Sequence, residues 1–139
     1  MSDVMASILL IEDDEVDVEA IQRLFAWRNI ANPLYVASDG EAALQLLHGE
    51  GDAVVQQPCV ILLDLNLPRM NGIEFLDELR RDEKVKDSVV FVLTTSNRDY
   101  DRVVTSSKYV AGYLVKGEAD EDHSQLFRYL RPVLRYSES

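Results

Sequence analysis

Acidic residues follow a short apolar run near the N-terminus of the chain. The run Ile8-Leu9-Leu10-Ile11 is followed directly by Glu12, Asp13 and Asp14. Neighbouring carboxylates repel each other by about 1 kcal/mol at ~4 Å in water, and by more where they are partly buried. Acids that end a buried strand are therefore costly unless a cation lies among them. Carboxylate oxygens with no His or Cys nearby favour Mg²⁺, with Ca²⁺ and Mn²⁺ as alternatives.

Three later apolar runs also end on residues that could do chemistry. The run "ILLD" ends at Asp64, "VLTTS" contains Thr94, and "YLVK" ends at Lys116. A hydroxyl and an ammonium beside carboxylates suit a phosphoryl group, because Lys116 would neutralise one oxygen and Thr94 would hydrogen-bond another. Asp64 is then the natural nucleophile, since aspartyl phosphate is a known type of covalent intermediate.

These residues follow strands in a regular alternation of strands and helices. The predicted strands are Ser7–Ile11, Leu34–Ala37, Val60–Leu63, Val89–Thr94 and Gly112–Val115. The predicted apolar helix faces are Val16, Ala20, Ile21, Leu24 and Phe25; Ala42, Ala43, Leu46 and Leu47; Ile73, Phe75, Leu76 and Leu79; a weaker helix over 99–108; and Leu126, Phe127, Leu130, Val133 and Leu134. Asp39 is expected to cap the second helix, and Asp14 is read as a cap or as a charge near the site.

Five strands alternating with five helices predict an α/β fold, a doubly wound five-stranded parallel sheet with helices on both faces. Parallel neighbours need crossover connections, and runs such as "VVFVL" are apolar throughout, which is typical of strands buried on both faces. Ligands of such sheets bind beyond the carboxyl ends of the strands. The acids, hydroxyl and ammonium are therefore expected at one edge. The segment His48–Pro58 is read as a long surface loop.

Composition limits the classes of function. With 139 residues the chain is expected to be a single domain 1–139, with a core over about 7–134 and a short C-terminal extension, "VLRYSES". The net charge of −11 argues against nucleic acid as a direct partner. The single Cys59 excludes an internal disulfide and is read as a core thiol. No apolar run has the ~18 residues of a membrane span, so a cytoplasmic location with no membrane partner is expected.

The segments "IEDD", "LLDLNLPRMNG", "VLTTS" and "YLVK", in this order, resemble the receiver domain of two-component response regulators. The spacings from Asp64 to Lys116 and from Thr94 to Lys116 match that family without a gap. The resemblance covers roughly Ser7 to Leu134. It implies the flavodoxin-like fold of the chemotaxis regulator, with strand order 2-1-3-4-5.

The resemblance assigns the acidic residues. Glu12 and Asp13 match the pair that holds Mg²⁺, for which Mn²⁺ or Ca²⁺ would be substitutes, and Asp64 matches the phospho-acceptor. Asn66 matches the position that gives its backbone carbonyl to the metal. Asn66 and Ser96 also match the positions at which the family varies its dephosphorylation rate.

The resemblance also assigns residues of a phosphorylation switch. Thr94 matches the hydroxyl that closes on the phosphoryl group, with Thr95 as the neighbouring second choice. Lys116 matches the family's lysine, and Tyr113 matches the aromatic whose rotamer follows phosphorylation. Most receivers have Pro after that lysine, whereas this chain has Gly117.

The implied function is a single-domain response regulator that accepts a phosphoryl group from a sensor histidine kinase and is not a turnover enzyme. "LTTS", the long loop before Cys59 and the lysine without proline resemble the small regulators paired with bacterial phytochromes. Output is then expected by contact with a phosphorelay partner, a kinase or a second copy, with a homodimer through the fourth helix, fifth strand and C-terminal helix. Two alternatives stay open: a phosphate-independent receiver-like module, and a Mg²⁺-dependent phosphatase, whose usual second Asp is here Asn66.

Overall fold

The computed structural model of the chain describes residues 3–49, 59–65, 67, 70–94, 110, 112–115 and 135–137. Within these, side chains are described except at 3–5, 94, 113–115 and 135–137. The strands are β1 (Asp3–Met5), β2 (Ser7–Ile11), β3 (Leu34–Ala37), β4 (Cys59–Asp64), β5 (Val89–Thr94), β6 (Gly112–Val115) and β7 (Arg135–Ser137). The helices are α1 (Glu15–Trp27), α2 (Gly40–His48) and α3 (Gly72–Arg81).

Five of the strands form a parallel sheet in the order β3-β2-β4-β5-β6. β1 lies outside this sheet, so β2 is the first of its strands along the chain. Numbered within the sheet alone, the strands lie in the predicted order 2-1-3-4-5. Four of these strands have the predicted bounds, and β4 is one residue longer at each end. The interior strands are buried on both faces, as their unbroken apolar sequences predict: every residue of β2 and of β4 is buried.

Helices cover both faces of the sheet, which confirms the doubly wound architecture. Ile21 and Phe25 of α1 pack with Ile8 and Leu62 on one face of the sheet. Residues of α2 and α3 pack on the other face against the alternate strand residues, in a cluster that includes Leu9, Ile11, Ala43, Leu47, Ile61, Leu63, Phe75, Leu76 and Leu79. The predicted fourth and fifth helices lie outside the described residues. None of the helices in the described ranges has the length and apolar character that a membrane span needs.

Side-chain caps fix where the helices begin. The carboxylate of Asp14 accepts a hydrogen bond from the backbone N–H of Val16 at 2.9 Å, and that of Asp39 accepts one from Ala42 at 2.8 Å. Both residues are therefore helix caps, as the sequence suggested. A cap satisfies backbone donors that a helix leaves unpaired in its first turn.

Cys59 is confirmed as a core thiol. It is the first residue of β4 and is only 4% exposed. Burial raises the pKa of the Cys59 thiol to about 12. The reactive thiolate is therefore scarce at neutral pH, and Cys59 contributes to packing rather than to chemistry.

Three expectations need correction. Ile21, Leu24 and Phe25 of the predicted α1 face pack against the sheet. Val16 is 74% exposed and Ala20 is also exposed, and Val18 packs in their place. His48 is the last residue of α2 rather than the first of a loop. The sequence predicted five strands, whereas the described residues contain two more, β1 and β7, which pair in an antiparallel two-stranded sheet, with β7 lying in the C-terminal extension.

Candidate functional site

Three carboxylates converge at the carboxyl edge of the parallel sheet. One oxygen from each of Glu12, Asp13 and Asp64 lies within 4.8 Å of the others. Glu12 is 3% exposed and Asp64 is 6% exposed, whereas Asp13 faces solvent. These are the three acids that the sequence predicted to meet. Two buried acids and one exposed acid therefore form an open cluster at the sheet edge.

The register of the sheet brings the acids together. β2 and β4 run parallel and are paired from Ser7–Cys59 to Ile11–Leu63. The next residue on each strand is Glu12 or Asp64, so the two acids are neighbours at the point where the strands end. A one-residue slip of β4 against β2 would turn Asp64 to the opposite face of the sheet and away from Glu12. The apolar pattern that fixes the register therefore also fixes the acidic pair.

Backbone hydrogen bonds hold the turn that carries Glu12. Its N–H donates to the carbonyl of Ala37 on β3 at 3.0 Å. Its carboxylate accepts a hydrogen bond from the backbone N–H of Asp14 at 3.1 Å, and the side chain of Asp14 then caps α1. The turn from β2 into α1 is thus fixed at both ends, and Asp13 is held between two anchored neighbours.

The ligand chemistry of the cluster fits a hard divalent cation. Its donor atoms are all carboxylate oxygens, and the buried pair of Glu12 and Asp64 places like charges in a region of low polarity. Such charges repel strongly unless a cation compensates them. Mg²⁺, Mn²⁺ and Ca²⁺ prefer oxygen ligands. Beside the cluster lies a cleft of about 430 Å³ lined by Glu12, Asp13, Glu15, Val18, Glu19, Val36 and Ser38.

The neighbouring strands bring two more predicted segments to the same edge. Asp64 is paired with Leu93 of β5, so Thr94 is one residue further along that strand. Thr94 is in turn paired with Val115, the residue before Lys116. The backbone of Tyr113 lies in β6, opposite Val92. The predicted site groups that lie outside the described structure are the side chains of Thr94 and Tyr113 and the residues Asn66, Thr95, Ser96, Lys116 and Gly117.

Sequence reasoning missed the contact between α3 and the end of β4. The N–H of Gly72 donates to the carbonyl of Leu65 at 3.1 Å. Asn71 caps the helix, and a reciprocal bond from its own N–H to Glu74 completes a capping box. The sequence "NGIE" carries a recognisable signal for that box, because a cap residue stands three positions before a Glu. The approach of Gly72 to β4 has no such local signal.

Comparison with known proteins identifies the family. Residues 8–128 match the family described as response regulator receiver domain. The chain belongs to this family. It is 35% identical to the response regulator Rcp1 of Synechocystis sp. over 127 residues, which cover 91% of this chain and 84% of Rcp1.

Solved structures show the same fold. A two-component response regulator from Legionella pneumophila is 38% identical, with a TM-score of 0.76 over 91% of this chain and 98% of that one. The bacteriophytochrome response regulator RtBRR is 33% identical, with a TM-score of 0.79 over 91% of this chain and 78% of that one. The Mn²⁺-bound form of Rcp1 is 29% identical, with a TM-score of 0.76 over 96% of this chain and 97% of that one. This receiver domain is thus similar to response regulators of bacteriophytochrome systems.

Proposed function

We propose that this protein is a phosphorylation switch in which Asp64 accepts a phosphoryl group from a phosphohistidine of a sensor histidine kinase. The observation that carries the proposal is the cluster of Glu12, Asp13 and Asp64, which places a nearly buried carboxylate beside two others at the carboxyl edge of a receiver fold. Asp64 is the nucleophile because it stands at the end of the central strand β4, between the acids of β2 and the hydroxyl-bearing end of β5.

Mg²⁺ is the proposed partner of the acids. Glu12, Asp13 and Asp64 would hold it, together with the backbone carbonyl of Asn66. When bound, the ion supplies positive charge that neutralises the acids and the phosphoryl oxygens. The all-oxygen donor set supports this assignment, and a solved structure of the relative Rcp1 is a Mn²⁺-bound form.

The proposed transfer breaks one bond and forms another. An oxygen of the Asp64 carboxylate attacks phosphorus, the bond from phosphorus to the imidazole nitrogen of the kinase breaks, and the imidazole leaves with the electron pair. The enzyme-like contribution of the receiver is positioning and charge neutralisation, which is most of what phosphoryl transfer requires. Lys116 would neutralise one phosphoryl oxygen and Thr94 would donate a hydrogen bond to another.

The proposed signal passes from Asp64 to the far edge of the sheet. Thr94 would move towards the phosphoryl group, and the Tyr113 ring would take the space it leaves. β5 links the two, since Leu93 is paired with Asp64 and Val92 with Tyr113. The readout is contact with another protein: a phosphorelay partner, the kinase, or a second copy bound through the fourth helix, β6 and the C-terminal helix. The likeness to RtBRR supports a bacterial phytochrome as the upstream kinase, and we place the protein in the cytoplasm.

Intact-mass spectrometry tests the proposal. The protein would be incubated with acetyl phosphate and Mg²⁺, with and without EDTA, beside the variant Asp64→Asn. We expect a gain of one phosphoryl group that needs the metal and is absent from the variant. A phosphohistidine kinase domain would serve as a second donor, because small donors can be poor. No gain from either donor would reject the switch and favour a phosphate-independent interaction module.

A further inference from the structure

α3 begins in unusually close contact with the end of β4. A Cβ atom built on Gly72 would lie 2.7 Å from the Cα of Leu65, 2.7 Å from its Cδ2 and 3.0 Å from the carbonyl oxygen of Asp64. Ordinary contacts of a Cβ begin near 3.4 Å, so the two segments would have to separate by about 0.7 Å to admit one methyl group. Two of the three atoms belong to the backbone, and no side-chain rotation relieves those contacts.

A second glycine shows the contrast. A Cβ on Gly40, at the start of α2, would meet Met70 at its Sδ, Cγ and Cβ atoms, the nearest at 2.9 Å. These atoms all belong to one flexible side chain with several rotatable bonds. Met70 can therefore yield at Gly40, whereas the main chain of Asp64 and Leu65 must yield at Gly72.

The start of α3 cannot easily retreat from β4. The hydrogen bond from Gly72 to Leu65 joins the helix to the strand end, and the capping box of Asn71 holds the first turn in shape. One turn further on, Phe75 and Leu76 are fully buried. Moving the helix outwards would break the hydrogen bond and open the core beneath those side chains.

The end of β4 is the softer side of the contact. Its pairing with β2 ends at Ile11–Leu63, one residue before Asp64, so Asp64 is paired in register with Leu93 of β5 but not with β2. A methyl group on Gly72 should therefore displace the main chain at Asp64 and Leu65. Since the Asp64 carboxylate lies in the cluster with Glu12 and Asp13, the displacement reaches the cluster.

We propose that Gly72 is a positioning residue for the phospho-acceptor. Its missing side chain lets α3 close on the main chain of Asp64 and Leu65, and this closure sets the place of the Asp64 carboxylate relative to Glu12 and Asp13. The inference rests on the proposed function, in which those carboxylates hold Mg²⁺.

The choice of ion gives a readout that loss of stability alone would not change. Mg²⁺ demands near-ideal octahedral geometry, whereas Ca²⁺ accepts longer and more variable distances. A shift of several tenths of an ångström at Asp64 should weaken Mg²⁺ binding by about tenfold or more, and Ca²⁺ binding by less. We therefore expect Gly72→Ala to change the ratio of the two affinities.

Gly49→Ala is the matched control. Gly49 ends α2 with φ of 72°, a left-handed conformation that an alanine adopts at a cost in stability. It stands at the opposite end of α2 from the edge that carries the acids. The control variant should lose stability and keep both metal affinities at the wild-type values.

The experiment combines metal titration with NMR of the metal-free proteins, at a temperature where the wild type, Gly72→Ala and Gly49→Ala are all folded. Expected for Gly72→Ala are a reduced ratio of Mg²⁺ to Ca²⁺ affinity and shifted carboxyl ¹³C and amide signals of Asp64 and Leu65, with neither change in Gly49→Ala. Wild-type values for both readouts in Gly72→Ala would overturn the inference. If the wild type binds no Mg²⁺ but Gly72→Ala still shifts the Asp64 signals, the positioning role stands and the proposed metal fails.

If Gly72→Ala does not fold, hydrogen exchange in the wild type replaces it. Linkage is reciprocal, so a closure that favours metal binding must be favoured by the metal. Mg²⁺ should then slow exchange of the Gly72 amide by a larger factor than that of the Gly49 amide. Equal factors for the two amides would overturn the inference.

Discussion

Replacing Asp64 by asparagine should make the metal-free protein more stable. The substitution keeps the shape of the side chain and removes one negative charge from the cluster with Glu12 and Asp13. Loss of the proposed phospho-acceptor is thus expected to relieve the repulsion between the carboxylates of the cluster. The effect has the opposite sign to that of most substitutions of a buried residue, which destabilise.

The size of the effect follows from the distances and the burial. The carboxylate oxygens lie within 4.8 Å of one another, and two like charges at that upper limit repel by about 1 kcal/mol at the dielectric constant of water and by about 3 kcal/mol at an effective value of ~20. The higher figure suits the pair of Glu12 and Asp64, which are 3% and 6% exposed, and the lower figure suits exposed Asp13. Hydrogen bonds that the carboxylate makes better than the amide offset part of this gain. We expect a net stabilisation of about 1–3 kcal/mol.

Urea unfolding at pH 7.5 in EDTA measures the difference, with Asp87→Asn as the control. Asp87 is exposed, so that variant removes the same single charge from a chain of net charge −11 without touching the cluster. Mg²⁺ should then stabilise the wild type, by about 2.7 kcal/mol at one hundred times its dissociation constant, and should stabilise Asp64→Asn much less. The reasoning fails if Asp64→Asn gains no more than Asp87→Asn, or if Mg²⁺ stabilises both proteins equally.

Three further predictions concern the fold, and urea unfolding measures each of them. The hydrogen bond with His48 lowers the pKa of Asp82, so the carboxylate stabilises the fold at pH values above its ordinary pKa of 3.8 and loses that contribution as the pH falls through the lower pKa of the folded state. Asp82→Asn should therefore be less stable than the wild type at pH 6, and a stability difference that persists in strong acid would contradict this. Asn71→Ala should cost about 1 kcal/mol through loss of the helix cap, and an unchanged midpoint would refute the role of the capping box. Phe75→Ala should cost about 3–5 kcal/mol because the ring is fully buried, whereas Trp27→Ala should stay within about 0.5 kcal/mol because Trp27 is 73% exposed.

The sheet could be predicted from the sequence because its strands carry strong local signals. Uniformly apolar runs such as Ile8–Ile11 are buried on both faces, and charged or turn residues mark their ends. The packing face of α1 was harder to predict. Ile21, Leu24 and Phe25 pack as predicted. In the first turns of the helix, the orientation of α1 on the sheet decides between apolar neighbours, and it buries Val18 more than Val16 or Ala20.

The pairing of β1 with β7 lay beyond any local pattern. Each strand has three residues, and the two stand at opposite ends of the sequence. No turn joins them, so neither loop length nor periodicity indicates a register. The contact of Gly72 with Leu65 was equally beyond a local pattern, because the main chain that leaves no room for a side chain at Gly72 approaches it only in the folded protein.

The acidic site was predictable for the opposite reason, because there the sequence conflicts with the local rules of folding. A chain selected for stability alone would not end two adjacent buried strands on Glu12 and Asp64, at the point where the register makes them neighbours. Proteins break the rules of consistent packing mainly at functional sites, and interactions elsewhere in the fold offset the loss of stability. Here the compensation is visible in the backbone: Ala37 and Asp14 hold Glu12 from two sides, and Gly72 closes on the strand end that carries Asp64. The acids are thus held in a fixed geometry, in which the proposed cation and phosphoryl group would bind without first ordering them.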